Sequence, residues 1–327
     1  MPAAQSPHFV IPFSSCSGDL WLQAMKALPD RKEGGLKNLH RLLQGMKLVE
    51  TTSGEAFTLS APHERVLAQA LGLPGFETMP DGLIPWAAWQ AGQTQGLQDH
   101  HGQAWAFITP CHWAMGREHA TLTDPAALGL NEADSQTLLA AMQPYFETEG
   151  ITLHYAAPDR WLAEGEVFRH LPTASLDRVM GRNVDTWLPA SKALKLLQNE
   201  MQMLLYTHPL NDERSLKRLQ TVNSFWLSGT GALTQALTEA VPNISINRTL
   251  AQAAFTEDWP AHAQAWGALD AGDIAALLTR QREGETIRLS LCGESKALTF
   301  ETSAPSLLTR TRNLLKPYGD VDVLWRL

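Results

Sequence analysis

One stretch of this 327-residue chain restricts its fold more than any other, residues 198–240. It opens as a helical pattern that must stop at His208, because Pro209 lacks an amide donor and disfavours helical backbone in the residue before it. The apolar run Val222-Asn-Ser-Phe-Trp-Leu227 has the length and character of a buried strand. Ser228-Gly229-Thr230-Gly231 then reads as a turn, with a second helix expected over 232–240, stopped before Pro242. Strand, glycine-rich turn and helix together aim unpaired amides at an anion. They are equally a short way to reverse a chain.

The remaining segments repeat this alternation. Strands are expected at 8–13, 104–109, 151–156 and 244–246, and helices at 19–28, 36–46, 60–71, 131–148, 191–206 and 274–281. The Gly-, Pro- and Gln-rich stretch 72–102 reads as a connection around a short helix at Trp86–Trp89, with His100-His101 in an exposed loop. Segments 286–291 and 297–302 flank Cys292-Gly293-Glu294-Ser295, a hairpin signature. A helix at 305–315 and a strand at 321–326 close the chain. Such alternation predicts α/β layers: a mixed, mostly parallel sheet with flanking helices, then a smaller α+β C-terminal part carrying the hairpin. The expected division is 1–240 and 241–327, the second part standing alone or completing the same domain.

With 44% hydrophobic residues the chain can bury a large core. A net charge of −8 argues against a general nucleic-acid grip, which needs a basic face. Cys16, Cys111 and Cys292 are odd in number and far apart, which fits a reducing compartment better than a disulfide framework. The N-terminus has no basic start or long apolar run, and no segment approaches the roughly 20 apolar residues of a membrane span. A cytoplasmic protein is therefore expected. Among its 11 Trp residues, Trp86, Trp89 and Trp161 would offer a surface for a cytoplasmic protein partner if exposed.

Three groups of residues could carry chemistry. His112 and His119, with Asp124 five residues further on, could share a divalent metal or a proton, joined by His208 as a fourth catalytic candidate. Their spacing matches no tight ligand motif, and each His could instead bond a backbone carbonyl, so no cofactor is expected. Arg178 and Arg182 are four apart and would share one helix face, suited to phosphate or carboxylate. They could also pair with Asp177, Asp185 or Glu200. Ser228, Gly229, Thr230 and Gly231 complete the anion-binding candidates, although they lack the Lys of a P-loop and the spacing of a dinucleotide fingerprint. No Gly-x-Ser-x-Gly elbow is present.

The runs 171–183, 198–209 and 222–229, together with Pro62-His-Glu-Arg65 and Leu122-Thr-Asp-Pro125, resemble the RpfE-type family of bacterial proteins over residues 8–235. Members are described as regulatory and often labelled cofactor-independent phosphoglycerate mutases. Asn223-Ser-Phe-Trp-Leu-Ser-Gly229 and Leu36-Lys-Asn-Leu-His-Arg-Leu42 are similar to segments of those mutases. The resemblance implies a degenerate alkaline-phosphatase-like scaffold over 1–240 and a phosphorylated small molecule as ligand. Those enzymes end their first strand on Asp and hold two metals with Asp and His clusters. Here that strand ends Pro12-Phe13-Ser14-Ser15, with no Asp before Asp19. The resemblance therefore implies a regulatory or binding role on the mutase scaffold, with an active phosphate-ester enzyme using a relocated site as the alternative.

Overall fold

The structure, a computed structural model, describes residues 6–28, 35–98, 102–233, 243–303 and 323–327. In chain order its strands are β1 (His8–Ile11), β2 (Met46–Ser53), β3 (Ala104–Cys111), β4 (Trp113–Met115), β5 (Ala120–Leu122) and β6 (Thr152–Ala157). They continue with β7 (Arg160–Glu164), β8 (Ser224–Ala232), β9 (Ile244–Ile246), β10 (Arg288–Cys292) and β11 (Lys296–Thr302). The helices are α1 (Asp19–Lys26), α2 (Lys37–Gln44), α3 (Pro62–Ala70), α4 (Trp86–Ala91), α5 (Glu132–Thr148) and α6 (Leu176–Val179). After these come α7 (Lys192–Tyr206), α8 (Pro209–Leu216), α9 (Ala251–Phe255), α10 (Trp259–Leu269) and α11 (Ala275–Arg282). Among the described residues no helix is long and apolar enough to cross a membrane.

The chain forms two compact units. The first comprises Met1–Phe57, Pro62–Leu71 and Glu239–Leu327, and the second Thr58–Ala61 and Gly72–Thr238. The chain returns to the first unit after Thr238. Residues 1–57 belong with the C-terminal segment, because β1 lies between β9 and β10 in one sheet.

The first unit is built on a five-stranded sheet of order β2-β11-β10-β1-β9. β1 runs parallel to β9 and β10, while β10–β11 and β11–β2 are antiparallel. The expected hairpin at Cys292–Ser295 is the β10–β11 turn. A core of Ile11, Trp21, Leu39, Leu42, Trp266, Ile274, Leu289 and Leu291 joins the sheet to its helices, and a smaller cluster of Val10, Val66, Cys292 and Ala297 includes α3.

The second unit carries an antiparallel sheet of order β6-β7-β3-β8 and the small β4–β5 hairpin. One core cluster includes Leu138, Met142 and Phe146 of α5 with Leu197, Met201 and Leu205 of α7, and another includes Ala87, Ala88 and Ala91 of α4 with Trp105 and Leu162. α5 begins at an Asn131 cap whose side chain accepts the Asp134 amide at 2.8 Å.

Several expectations are corrected. The first unit's sheet is mixed, as expected, but the sheets are not mostly parallel: among the described strands only the pairs β1–β9 and β1–β10 run parallel. Short connections such as Gly293–Ser295 and Pro158–Asp159 permit only antiparallel pairing, since a parallel crossover needs a dozen or more residues. Residues 228–231 are not a turn, because β8 runs on through them to Ala232. A register shift opposite Trp105 and Phe107 absorbs the glycines as a bulge, with Gly229 at φ 62° and Gly231 at φ 133°. The helix expected over 232–240 lies outside the described residues apart from Ala232 and Leu233, and Ala232 ends β8. Pro209 does end α7's reach, yet it also opens α8 from the N1 position, which was not expected. The strand β2 was likewise unforeseen. The helix expected at 305–315 and the start of the strand expected at 321–326 also lie outside the described residues, while Leu324–Arg326 forms a 3₁₀ turn.

Candidate functional site

In the first unit the carboxyl ends of the parallel strands β1, β9 and β10 are where an open α/β sheet ordinarily receives a ligand. The loop leaving β1 there is tied from several sides. The Ser14 amide donates to the Cys292 carbonyl at 2.7 Å, and the Ser14 hydroxyl donates back to the Ile11 carbonyl at 2.7 Å. Trp266 Nε1 donates to the Ser14 carbonyl at 3.0 Å, and His262 Nε2 donates to the Phe13 carbonyl at 2.9 Å. This lattice holds Phe13 at φ 56°, a left-handed backbone that a bulky residue adopts only when its surroundings over-determine it.

His262 is fully engaged. Its Nδ1 accepts from Trp21 Nε1 at 3.2 Å while Nε2 carries the proton given to Phe13. Burial lowers its pKa, opposed by the bond to Phe13. Cys16 Sγ lies 3.9 Å from the same Nε2, which as a donor cannot take the thiol proton. At the entrance to α1 the Glu294 carboxylate, from the β10–β11 turn, accepts the Ser17 amide at 3.1 Å and the Ser17 hydroxyl. The negative group at this helix entrance thus comes from the chain itself.

At the opposite end of the strands, His8 Nε2 and the Ser290 hydroxyl are 2.7 Å apart, and Ser290 is 2.7 Å from the Thr299 hydroxyl. This chain crosses β1, β10 and β11 and is buried throughout. Burial, then the nearby Arg288 charge, lowers the His8 pKa to about 4, so the ring is neutral at pH 7.

The second unit holds the predicted site residues, and each has a structural partner or position. His112 Nδ1 donates to the Thr221 carbonyl at 2.8 Å. Asp124 accepts the Ala126 amide at 2.9 Å and caps the 3₁₀ turn Pro125–Leu128. The Thr123 amide and hydroxyl both donate to the His112 carbonyl, and the Arg182 carbonyl accepts the Leu122 amide at 3.4 Å. His112, Asp124 and Arg182 therefore gather around the base of the β4–β5 hairpin, whereas His119 is exposed at its tip, where its carbonyl accepts the Gly116 amide. His208 Nδ1 accepts the Leu210 amide at 3.2 Å and caps α8.

Arg178 is buried, donates from Nε to the Thr58 carbonyl at 2.6 Å, and lies over the Trp187 ring at 5.6 Å. The segment leading to it bonds side chains of β8. Thr230, in β8, donates to the Leu171 carbonyl at 2.6 Å and faces the Thr173 hydroxyl at 2.9 Å, and Trp226 Nε1 donates to the Ala174 carbonyl at 3.1 Å. The expected amide cradle at residues 228–231 is thus replaced by strand backbone and a committed hydroxyl. Trp161 is fully buried with Nε1 donating to Ser135, so it offers no surface, while Trp86 and Trp89 are half-buried and meet edge to face.

Sequence reasoning missed Glu294, His8, His262 and Asp270. Their partners lie up to 282 residues away, so no spacing announces them.

No protein-family model matches the chain, and no curated protein matches it. Among solved structures it is similar to the PH0037 protein from Pyrococcus horikoshii, at 9% identity and a TM-score of 0.47, over 93% of this chain and 89% of that one. It is also similar to the cofactor-independent phosphoglycerate mutase from Thermoplasma acidophilum DSM 1728, at 12% identity and a TM-score of 0.35, over 98% of this chain and 99% of that one. Both scores are below 0.5, so the fold rests on the chain's own elements.

Proposed function

We propose that the chain is a binding or regulatory protein of the RpfE type, built on a phosphoglycerate-mutase-like frame and working without two-metal phosphoryl transfer. One observation carries the reading. At the strand ends of the first unit, Glu294 occupies the amide and hydroxyl of Ser17, where an anionic ligand would otherwise find donors. The buried imidazole beside that loop supports it, since His262 already has both ring nitrogens bonded. Two-metal chemistry needs free anionic ligands around the cations, and the carboxylate here faces a serine.

A second reading has its own support. The backbones of His112, Asp124 and Arg182 come together at the base of the β4–β5 hairpin, and a phosphorylated small molecule bound by Arg182 is the ligand this reading expects. Assays of the purified protein with 3-phosphoglycerate, with and without added Mn²⁺, distinguish the two. The binding reading expects no isomerisation and, in a thermal-shift screen of phosphorylated metabolites, a raised Tm for whichever compound prefers the native state. Sustained, metal-dependent conversion of 3-phosphoglycerate would overturn it.

A further inference from the structure

The edge strand β2 is eight residues long and, among the described residues, pairs only with β11. Its other side presents backbone donors and acceptors ready to take another strand. Leu48 is 51% exposed and Val49 38%, apolar side chains at an open edge. The register places Lys47 opposite Glu301, Leu48 opposite Phe300 and Glu50 opposite Thr299, leaving Val49 as the extra residue of a bulge. Arg288 reaches Glu50 at 3.9 Å and Glu301 at 3.7 Å, which puts Glu50 on the same face as Glu301. Cross-strand neighbours share a face, so Lys47 belongs to that face too.

In the segment Met46-Lys-Leu-Val-Glu-Thr51 the opposite charges of Lys47 and Glu50 stand at equal distances from the point between Leu48 and Val49. Laid antiparallel on a second copy about a point between Leu48 and Val49, Lys47 meets Glu50 of the partner copy, and Leu48 meets its Val49. The two-fold repeats each pair. We infer that two copies of this chain join through their β2 edges, in an isologous contact that continues the sheet from one copy into the other. A lysine and a bulge on an edge strand ordinarily discourage pairing. Here an incoming β2, antiparallel and in this register, brings a carboxylate to each lysine from across the new edge, so the charges that discourage other strands favour a second copy.

The test uses the full-length protein and two variants, Lys47→Glu and Glu50→Lys, in sedimentation velocity and native mass spectrometry. The wild type is expected to dimerise at micromolar concentration. Each variant turns both attractive pairs into repulsive ones, which should weaken self-association by about tenfold or more. Mixing the two variants restores opposite charges at both positions of a heterodimer, so the mixture should recover the wild-type affinity. That recovery also shows that neither variant has merely failed to fold. A monomeric wild type, variants that self-associate like the wild type, or a mixture that stays monomeric would each overturn the inference.

Discussion

Asp270 holds the start of a helix that lies more than two hundred residues earlier. Its Oδ1 accepts the Leu39 amide at 2.7 Å and its Oδ2 the Asn38 amide at 3.2 Å, while Asn38 Nδ2 donates to the Asp270 carbonyl at 2.9 Å. α2 has no capping side chain of its own, since Leu36 stands at its N-cap. The π turn Asp270–Ile274, between α10 and α11, brings in the missing carboxylate. Replacing Asp270 with Ala leaves these amides unsatisfied in a mostly buried place, and is expected to cost about 1–3 kcal/mol in urea denaturation. An unchanged midpoint would show that water replaces the carboxylate at no cost.

His8 makes stability depend on pH. In the unfolded chain it binds a proton near its ordinary value of 6.5, and in the folded protein only near 4. The unfolded state therefore binds more protons between these values, and stability falls as pH drops through that window. The contribution present at neutral pH and lost by about pH 4 amounts to roughly 3 kcal/mol. Denaturation at pH 7.5 and 4.5 should reveal the loss in the wild type and a smaller one in His8→Gln, which keeps a polar group near Ser290. Equal pH dependence in both proteins would remove His8 as its source.

Arg214 is buried, yet it donates to the carbonyls of Leu128 and Gln220 and lies 3.5 Å from Asp134. It fastens α8 to the start of α5. Arg214→Ala strands these acceptors and opens a cavity, with an expected loss of about 3–5 kcal/mol. Arg214→Lys should recover only part of it, because one ammonium cannot span the planar fork. Thermal unfolding by circular dichroism gives the comparison.

Gly229 is required by both angle and space. Its φ of 62° strains any side chain, and an added Cβ would lie 2.8 Å from the Phe107 ring and 3.2 Å from Trp86 Cβ. Gly229→Ala should destabilise the protein by about 1–3 kcal/mol. Adding Phe107→Leu should return some of that loss if crowding contributes, and none if the backbone angle alone is responsible.

Local patterns in the sequence located many of the elements. α5 was legible from Asn131 and the period of Leu138, Met142 and Phe146, and the β10–β11 hairpin from its alternation around Gly293. The stretch 222–231 was misread because a bulged edge strand and a strand–turn–helix share the same glycines. Pairing with β3, through the register shift opposite Trp105 and Phe107, is what distinguishes them. The candidate site was legible only as residue types. His112, His119 and Asp124 stood out by residue type, but nothing in their spacing revealed that Thr221 and Ala126 would occupy His112 and Asp124.

By itself the sequence determined the local structure: periodicity, caps, proline and glycine act over a few residues and need no distant partner. It also set the net charge of −8. Tertiary structure decided the placement of β1 between two strands from the far end of the chain, the Glu294 carboxylate on Ser17, and the Asp270 cap on α2. These depend on groups brought together across hundreds of residues, where burial and hydrogen-bond satisfaction select the partner, and neither condition leaves a mark in spacing along the chain.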